Sequence, residues 1–123
     1  MKGSKPPSPA EQAYHDELRE VGCLVAHALG LGWMPAEIHH LTVGGKHGAP
    51  RRGHMHVVPL NSWSHRGVPP DHWSEAQCLD VLGPSYARQP AAFRALYPDD
   101  ELEEMRDQLH SAHTLLTRPA WMH

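Results

Sequence analysis

From Ala36 to Pro70 the chain gathers six histidines, Lys46, the adjacent pair Arg51–Arg52 and Arg66, with no carboxylate anywhere from Ile38 onward. Its apolar runs are short, the longest being Val57 to Leu60, and glycine or proline interrupts them at Gly44-Gly45, Gly48, Pro50 and Gly53. A stretch built this way cannot sustain long elements. It can form a brief hairpin whose rims are polar. Imidazoles suit a divalent metal, and guanidinium groups suit a phosphate. Their concentration in one segment predicts a metal-dependent nuclease hairpin.

Local signals support that layout. Glu37 to Val43 reads as a strand, Gly44-Gly45 as the turn after it, and His54 to Leu60 as the returning strand, with Val57 and Val58 favouring extended backbone. The connection from Gly44 to Gly53 is too long for a tight hairpin and carries the cations. Asn61 or Ser62 can cap a short helix holding Trp63, Ser64 and His65. Upstream, Ser8-Pro9-Ala10-Glu11 is a helix start with serine as cap and proline in the first turn, and the helix can run to about Gly22. Cys23 to Leu31 either continues it or forms a knuckle. Downstream, helices are expected over Asp71–Leu82, with Ser74 and Gln77 in capping-box spacing, over Pro90–Leu96, and from Asp99 onward. Asp99, Asp100 and Glu101 there suit the positive end of a helix dipole.

With 123 residues, the chain is near the common size of one domain. Its 12 prolines and 10 glycines predict short elements and much loop. The formal charge of −3 excludes a globally basic nucleic-acid binder. The cations nevertheless cluster in the central segment and the acids in the tail, and a local basic face governs DNA binding more than the net sum. The two cysteines, Cys23 and Cys78, form no CxxC pair, and nothing in their spacing demands a disulfide. MKGSKPPSP has no apolar core of a signal peptide, and no stretch is apolar enough to span a membrane. A soluble, cytoplasmic protein is expected, with residues 1–7 as a flexible arm.

His39-His40 is the pair on which chemistry turns. One ring can bind a metal while the other, as a neutral imidazole, takes a proton from an attacking water. His65 can supply a second ligand from the short helix. The competing reading is a chance His-His dipeptide in a histidine-rich chain. Neighbours on a regular strand also face opposite ways, so one site can use both only at an irregular strand end or across an edge. His54 and His56, alternating on the second strand, are expected on one side, either steadying the base or simply lining a polar face. Lys46, His47, Arg51 and Arg52 can neutralise phosphates, or form an ordinary solvated loop. Glu37 can orient a ligand from behind.

Taken together, PAEIHHL, the following Gly-Gly, RRGHMHVVPL, W-S-HRGVP and LGPSYARQPAAFRALY resemble the phage Ref family of RecA-dependent nucleases, a branch of the HNH endonucleases. The resemblance covers roughly Val21 to Glu104. It implies an α+β fold with a small ββα-metal (HNH) core over about 36–67, inside one domain spanning 8–123, with C-terminal helices over 71–117. It implies His39 and His65 as metal ligands, His40 as general base, and His54 or His56 at the middle position of the motif. Lys46, His47, Arg51, Arg52 and Arg66 become candidate DNA contacts. The implied cofactor is Mg2+ or Mn2+, with Zn2+ or Ni2+ as further candidates. The implied partners are DNA and a RecA filament, in the cytoplasm of a bacterial host. Oligomeric state stays open.

The chain departs from the family in one respect. Many relatives carry C-x-x-C before the first strand and C-P-W-H-H after the second, which look like structural zinc ligands. Here those positions read Cys23, Ala26, Asn61 and Ser64. Three of four ligands are replaced, and a lone thiolate cannot hold structural zinc. The alternative to an active endonuclease is a non-catalytic DNA-binding or recombination-accessory protein derived from one; a histidine-rich metal binder unconnected with DNA is a third. No structural zinc is expected at Cys23. Metal analysis of protein purified without added zinc tests this, and a stoichiometric zinc lost on Cys23→Ala would refute it.

Overall fold

The computed structural model describes residues 5–118 and residue 121. Helix α1 spans Pro9–Val21. Ser8 Oγ accepts from Glu11 N while the Glu11 carboxylate accepts from Ser8 N, the reciprocal cap that the sequence announces. Gly22 ends the helix at φ +90°, where a β-carbon would meet the Trp33 ring at 2.6 Å, so only glycine fits. The next residues form the knuckle: Cys23 begins α2, Leu24–Ala28.

Strands β1 (Glu37–His40) and β2 (Val57–Leu60) pair antiparallel, with His39 opposite Val58 and His40 opposite Val57. Both are shorter than the pattern predicts. Val43–Gly45 is a 3-10 turn with Gly44 and Gly45 in the left-handed region, which ends β1 early. His54 and Met55 lie in a turn closed by His56 N donating to Gly53 O at 3.2 Å, so β2 begins only at Val57. His54 and His56 therefore do not share a strand face, contrary to expectation.

Helix α3, Ser62–Arg66, follows β2 directly and completes a ββα unit. Asn61 caps it, its Oδ1 accepting from Ser64 N at 2.7 Å. Gly67 ends it at φ +71°, where a β-carbon would strike the Arg88 side chain at 2.8 Å. Of the expected helix over 71–82, only Glu75–Gln77 (α4) is α-helical, behind a complete Ser74–Gln77 capping box, and Cys78–Leu82 continues as a π-turn. His72 sits at φ +72°, which keeps 71–74 out of the helix. Helices α5 (Pro90–Leu96) and α6 (Asp99–Thr117) stand where the sequence puts them. The whole is a small α+β fold.

The core joins Leu24, Val25, Leu41, Val58, Leu60, Phe93 and Leu102. A fully buried side chain of this kind contributes roughly 1.5–3 kcal/mol. A second cluster, Trp63, Cys78 and Leu82, sits behind α3. Both cysteines are buried free thiols in different clusters. All four residues of β2 are buried. Arg106 of α6 reaches inward to donate to Val57 O at 3.2 Å and pairs with Glu103. Helix α6 is also tied to α1 by His110 on Glu17 at 2.7 Å and His113 on Glu20 at 3.0 Å. Of the arm, residues 5–7 are described, and there the main chain is held: Lys5 O accepts from His54 Nε2 at 2.6 Å. The rest of the expected flexible arm lies outside the described residues.

Asn61 also donates from Nδ2 to Cys23 Sγ at 3.1 Å, while the buried Ser64 hydroxyl finds no hydrogen-bond partner among the described residues. Asn61→Ala should cost about 1–3 kcal/mol, losing a helix cap and a buried contact. Ser64→Ala should be neutral or stabilising, since it removes an unsatisfied group. Urea unfolding of the two variants measures both.

Candidate metal and phosphate site

The strand alternation that argued against one site for His39-His40 holds, and the two rings leave β1 in different directions. His39 is 5% exposed. Its ring lies edge-on to His65 at 5.0 Å between centroids and to Tyr86 at 4.5 Å. No hydrogen bond to its ring nitrogens occurs among the described residues, so their lone pair is available to a ligand.

His65 faces it from α3. Its Nδ1 is 2.9 Å from Glu37 Oε1. Arg66 grips the same carboxylate with two of its nitrogens. That pairing holds Glu37 below the ordinary carboxylate range, chiefly through Arg66. His65 is itself pushed down by burial, which outweighs the pull of Glu37. A neutral imidazole whose Nδ1–H donates to a carboxylate presents Nε2 as its lone pair, the arrangement by which proteins orient metal-binding histidines. Glu37 thus occupies the supporting position expected of it. Arg66 is committed to Glu37 rather than free for DNA.

His40 turns to the opposite side, where His54 and His15 meet it. His40 Nε2 lies 3.1 Å from His54 Nδ1, and His54 Nε2 lies 2.6 Å from Lys5 O. A carbonyl can only accept, so His54 Nε2 carries a proton. The proton of the contact between the two rings sits on either His40 Nε2 or His54 Nδ1. When His40 Nε2 donates, the His40 lone pair is on Nδ1. His15, 4% exposed, donates from Nε2 to His54 O at 2.6 Å and so fixes the turn that carries His54.

The two candidates for the middle position of the motif lie on different sides of the hairpin. His54 touches His40. His56 instead joins Arg52 at 3.0 Å and Glu103 at 3.3 Å, on the α6 side. Arg52 also binds Glu103, at 3.3 Å. The expected cationic loop is thereby reduced: Arg52 is paired with Glu103, while Lys46, His47 and Arg51 are exposed and have no carboxylate partner among the described residues. His47 reaches the site by its ring, 5.1 Å from Tyr86.

Electrostatics reunites the two faces. Burial pushes His39 down to about 3, with the nearby His65 and His40 opposing its protonation further. Burial and then the Arg51 charge push His40 down to about 4. Arg51 also disfavours protonation of His39 and His65. The charge of Arg51 is thus felt by rings on both sides of β1.

Tyr86 and Arg94 belong to the same wall and were not anticipated. Arg94 donates to Tyr86 Oη at 3.0 Å and lies 5.1 Å from its ring centre. Tyr86 N donates to Ser64 O at 2.8 Å, and Trp63 Nε1 donates to Gly83 O at 2.8 Å, so the Gly83–Tyr86 segment is laced to α3. The signal was the LGPSYARQPAAFRALY run itself, legible only as part of a resemblance.

A family model described as recombination enhancement, RecA-dependent nuclease matches residues 7–112. The chain belongs to that family. No match was found among curated proteins or among solved structures. The matched span contains every residue of the wall just described, from Glu37 to Arg94, and most of α6. Its family is one of nucleases tied by name to recombination and to RecA. No helix among the described residues is long and apolar enough to cross a membrane.

The four positions that correspond to a structural zinc set in relatives do converge. Cys23 and Ala26 lie one turn apart on the knuckle, Asn61 and Ser64 one turn apart on α3, and the Asn61–Cys23 hydrogen bond joins them. Ala26 and Ser64 are completely buried. An amide N–H directed at the thiol is a donor, where a metal site needs lone pairs.

The low pKa of His39 has a stability consequence. The unfolded chain protonates this ring near its ordinary value of 6.5, the folded chain only near 3. Between those limits the unfolded state binds more protons, so stability falls as pH drops through the window. For His39 the loss at pH 5 relative to pH 7 should be about 2 kcal/mol. Urea unfolding of metal-free protein at both pH values measures it; His39→Gln should flatten the dependence, and an unchanged slope would contradict the assignment.

Proposed function

We propose that the chain is a metal-dependent DNA endonuclease of HNH type, acting in RecA-linked recombination, with β1, β2 and α3 as its ββα-metal unit. The observation that carries the reading is the pairing of two neutral, ligand-ready imidazoles, His39 and His65, with a third, His40, that is also kept neutral and is held by His54.

The donor chemistry of the site fits a divalent cation held by His39 and His65. Among the described residues no third histidine, cysteine or carboxylate joins them. An incomplete protein ligand set leaves positions for water and phosphate oxygens, as catalytic sites require. Two imidazoles favour zinc or nickel over magnesium or manganese, which suit oxygen ligands better. Bound there, the ion would stabilise charge on the phosphate and on the leaving oxygen.

The chain's own residues do the rest. His40 Nδ1 accepts the proton of the attacking water, and being neutral it is ready to do so at physiological pH. His54 holds the His40 ring through Nε2 and stabilises the imidazolium that forms. Arg51, which lines one groove with His40, holds the scissile phosphate there. Glu37 and Arg66 keep His65 in register. Lys46 and His47 add backbone contacts from the loop. We further propose that buried packing and the Asn61–Cys23 contact replace structural zinc.

One observation favours the accessory alternative: the missing third ligand. A plasmid-nicking assay across manganese, magnesium, zinc and nickel, with and without RecA, beside a gel shift, separates the two. His40→Ala should lower cleavage by roughly 10²–10⁴-fold while DNA binding persists. Arg51→Ala should weaken both, and Arg52→Ala should leave cleavage near wild type. Cleavage by His40→Ala at the wild-type rate would overturn the assignment of the base.

A further inference from the structure

A groove of about 430 Å³ opens on the His40 side of β1, between residues 5–7 and α1. Its walls include Lys5, Gln12, Arg19, Arg51, His40 and His54, and no carboxylate. None of Lys5, Gln12 or Arg19 belongs to the catalytic or metal-holding set. The volume lies within the range of ordinary ligand sites. The same groove is lined by His40 and Arg51, the groups assigned to the water and to the scissile phosphate.

The cations are free to meet a ligand. Lys5 and Arg51 have no carboxylate partner among the described residues. Arg19 pairs only with Asp16, one turn away at 2.8 Å, and the two side chains are 45% and 60% exposed. Exposed pairs of this kind are worth little and yield readily to a stronger anion. A second groove of similar size, about 470 Å³, lies at the start of α6, but Asp99, Asp100 and Glu103 line it. Those carboxylates would repel a polyanion, so the two grooves differ in the charge they can accept.

We infer that the groove between the arm and α1 is the track for the DNA strand flanking the cleaved bond, with Lys5, Arg19 and Arg51 spaced along its phosphodiester backbone. This rests on the nuclease reading for its direction, since the track leads to His40. The strand makes phosphate contacts there and no base-edge contacts that would confer sequence preference. The basic loop, which the sequence favours, then holds the far side of the same phosphate.

The test is fluorescence anisotropy with a short labelled single-stranded oligodeoxynucleotide and its duplex, without added metal, across a potassium chloride series. Each cation removed from a phosphate contact lowers the slope of log affinity against log salt by about 0.7 on the single strand and about 0.9 on the duplex. Lys5→Ala and Arg19→Ala should each show that loss, and the double variant twice it. Arg52→Ala, on the α6 side, should keep the wild-type slope. A double variant with the wild-type slope, or wild-type protein with no salt-dependent binding, overturns the track. The nicking assay on the same preparations reads the nuclease separately. Altered slopes without turnover under any metal support the track and defeat the nuclease reading, and turnover with unaltered slopes defeats the track alone.

Discussion

The contact on which the arrangement depends is the side chain of Asn61. Its oxygen caps α3 and its nitrogen reaches the Cys23 thiol, so one amide joins the start of the catalytic-side helix to the start of the knuckle. Everything that faces the site from α3 inherits this placement. His65 stands three residues beyond Ser62 in a helix only five residues long, too short to hold its direction by itself. Ser64 O in turn anchors Tyr86, and Tyr86 closes over His39. An amide, a thiol and close packing thus join α3 to the knuckle.

The imidazoles are arranged by a second constraint, the placement of protons. Among the described residues seven histidines are engaged in long-range hydrogen bonds or ion pairs, and a contact to a carbonyl or carboxylate places a proton on the nitrogen that makes it. For His65 the decisive partner is a carboxylate, and for His40 it is another imidazole backed by a carbonyl. Burial and the Arg51 charge then keep the central rings unprotonated. A site assembled from permanently charged groups would bind phosphate more strongly but would have no base.

Much of this was legible beforehand. The Ser8 and Ser74 capping boxes, the Gly44-Gly45 turn, the start of α5 at Pro90 and the acidic start of α6 are local signals, and local chemistry fixes them. The strands were overestimated because alternation continues through His54 and His56, whereas the Gly53–His56 turn interrupts it through one backbone hydrogen bond. The helix over 71–82 was overestimated because nothing local foretells a left-handed His72. The identity of the rings at issue was legible as well. Their partners were not: His15 lies 39 residues from His54, and Glu103 lies 51 from Arg52. Contacts at such separation depend on how helices pack, which periodicity does not encode. The same limit explains why Arg51 and Arg52, adjacent and chemically identical, divide between an open site and a closed ion pair.

The proton chain behind His40 ends on a main-chain atom. Lys5 contributes its carbonyl to that chain, and every amino acid has one. Position 5 is therefore free to change identity without disturbing this contact, provided the backbone keeps its path past His54. A main-chain contact of this type leaves no residue signature, and its natural variation would be read in the length and course of the arm ahead of Pro6-Pro7, not in its letters.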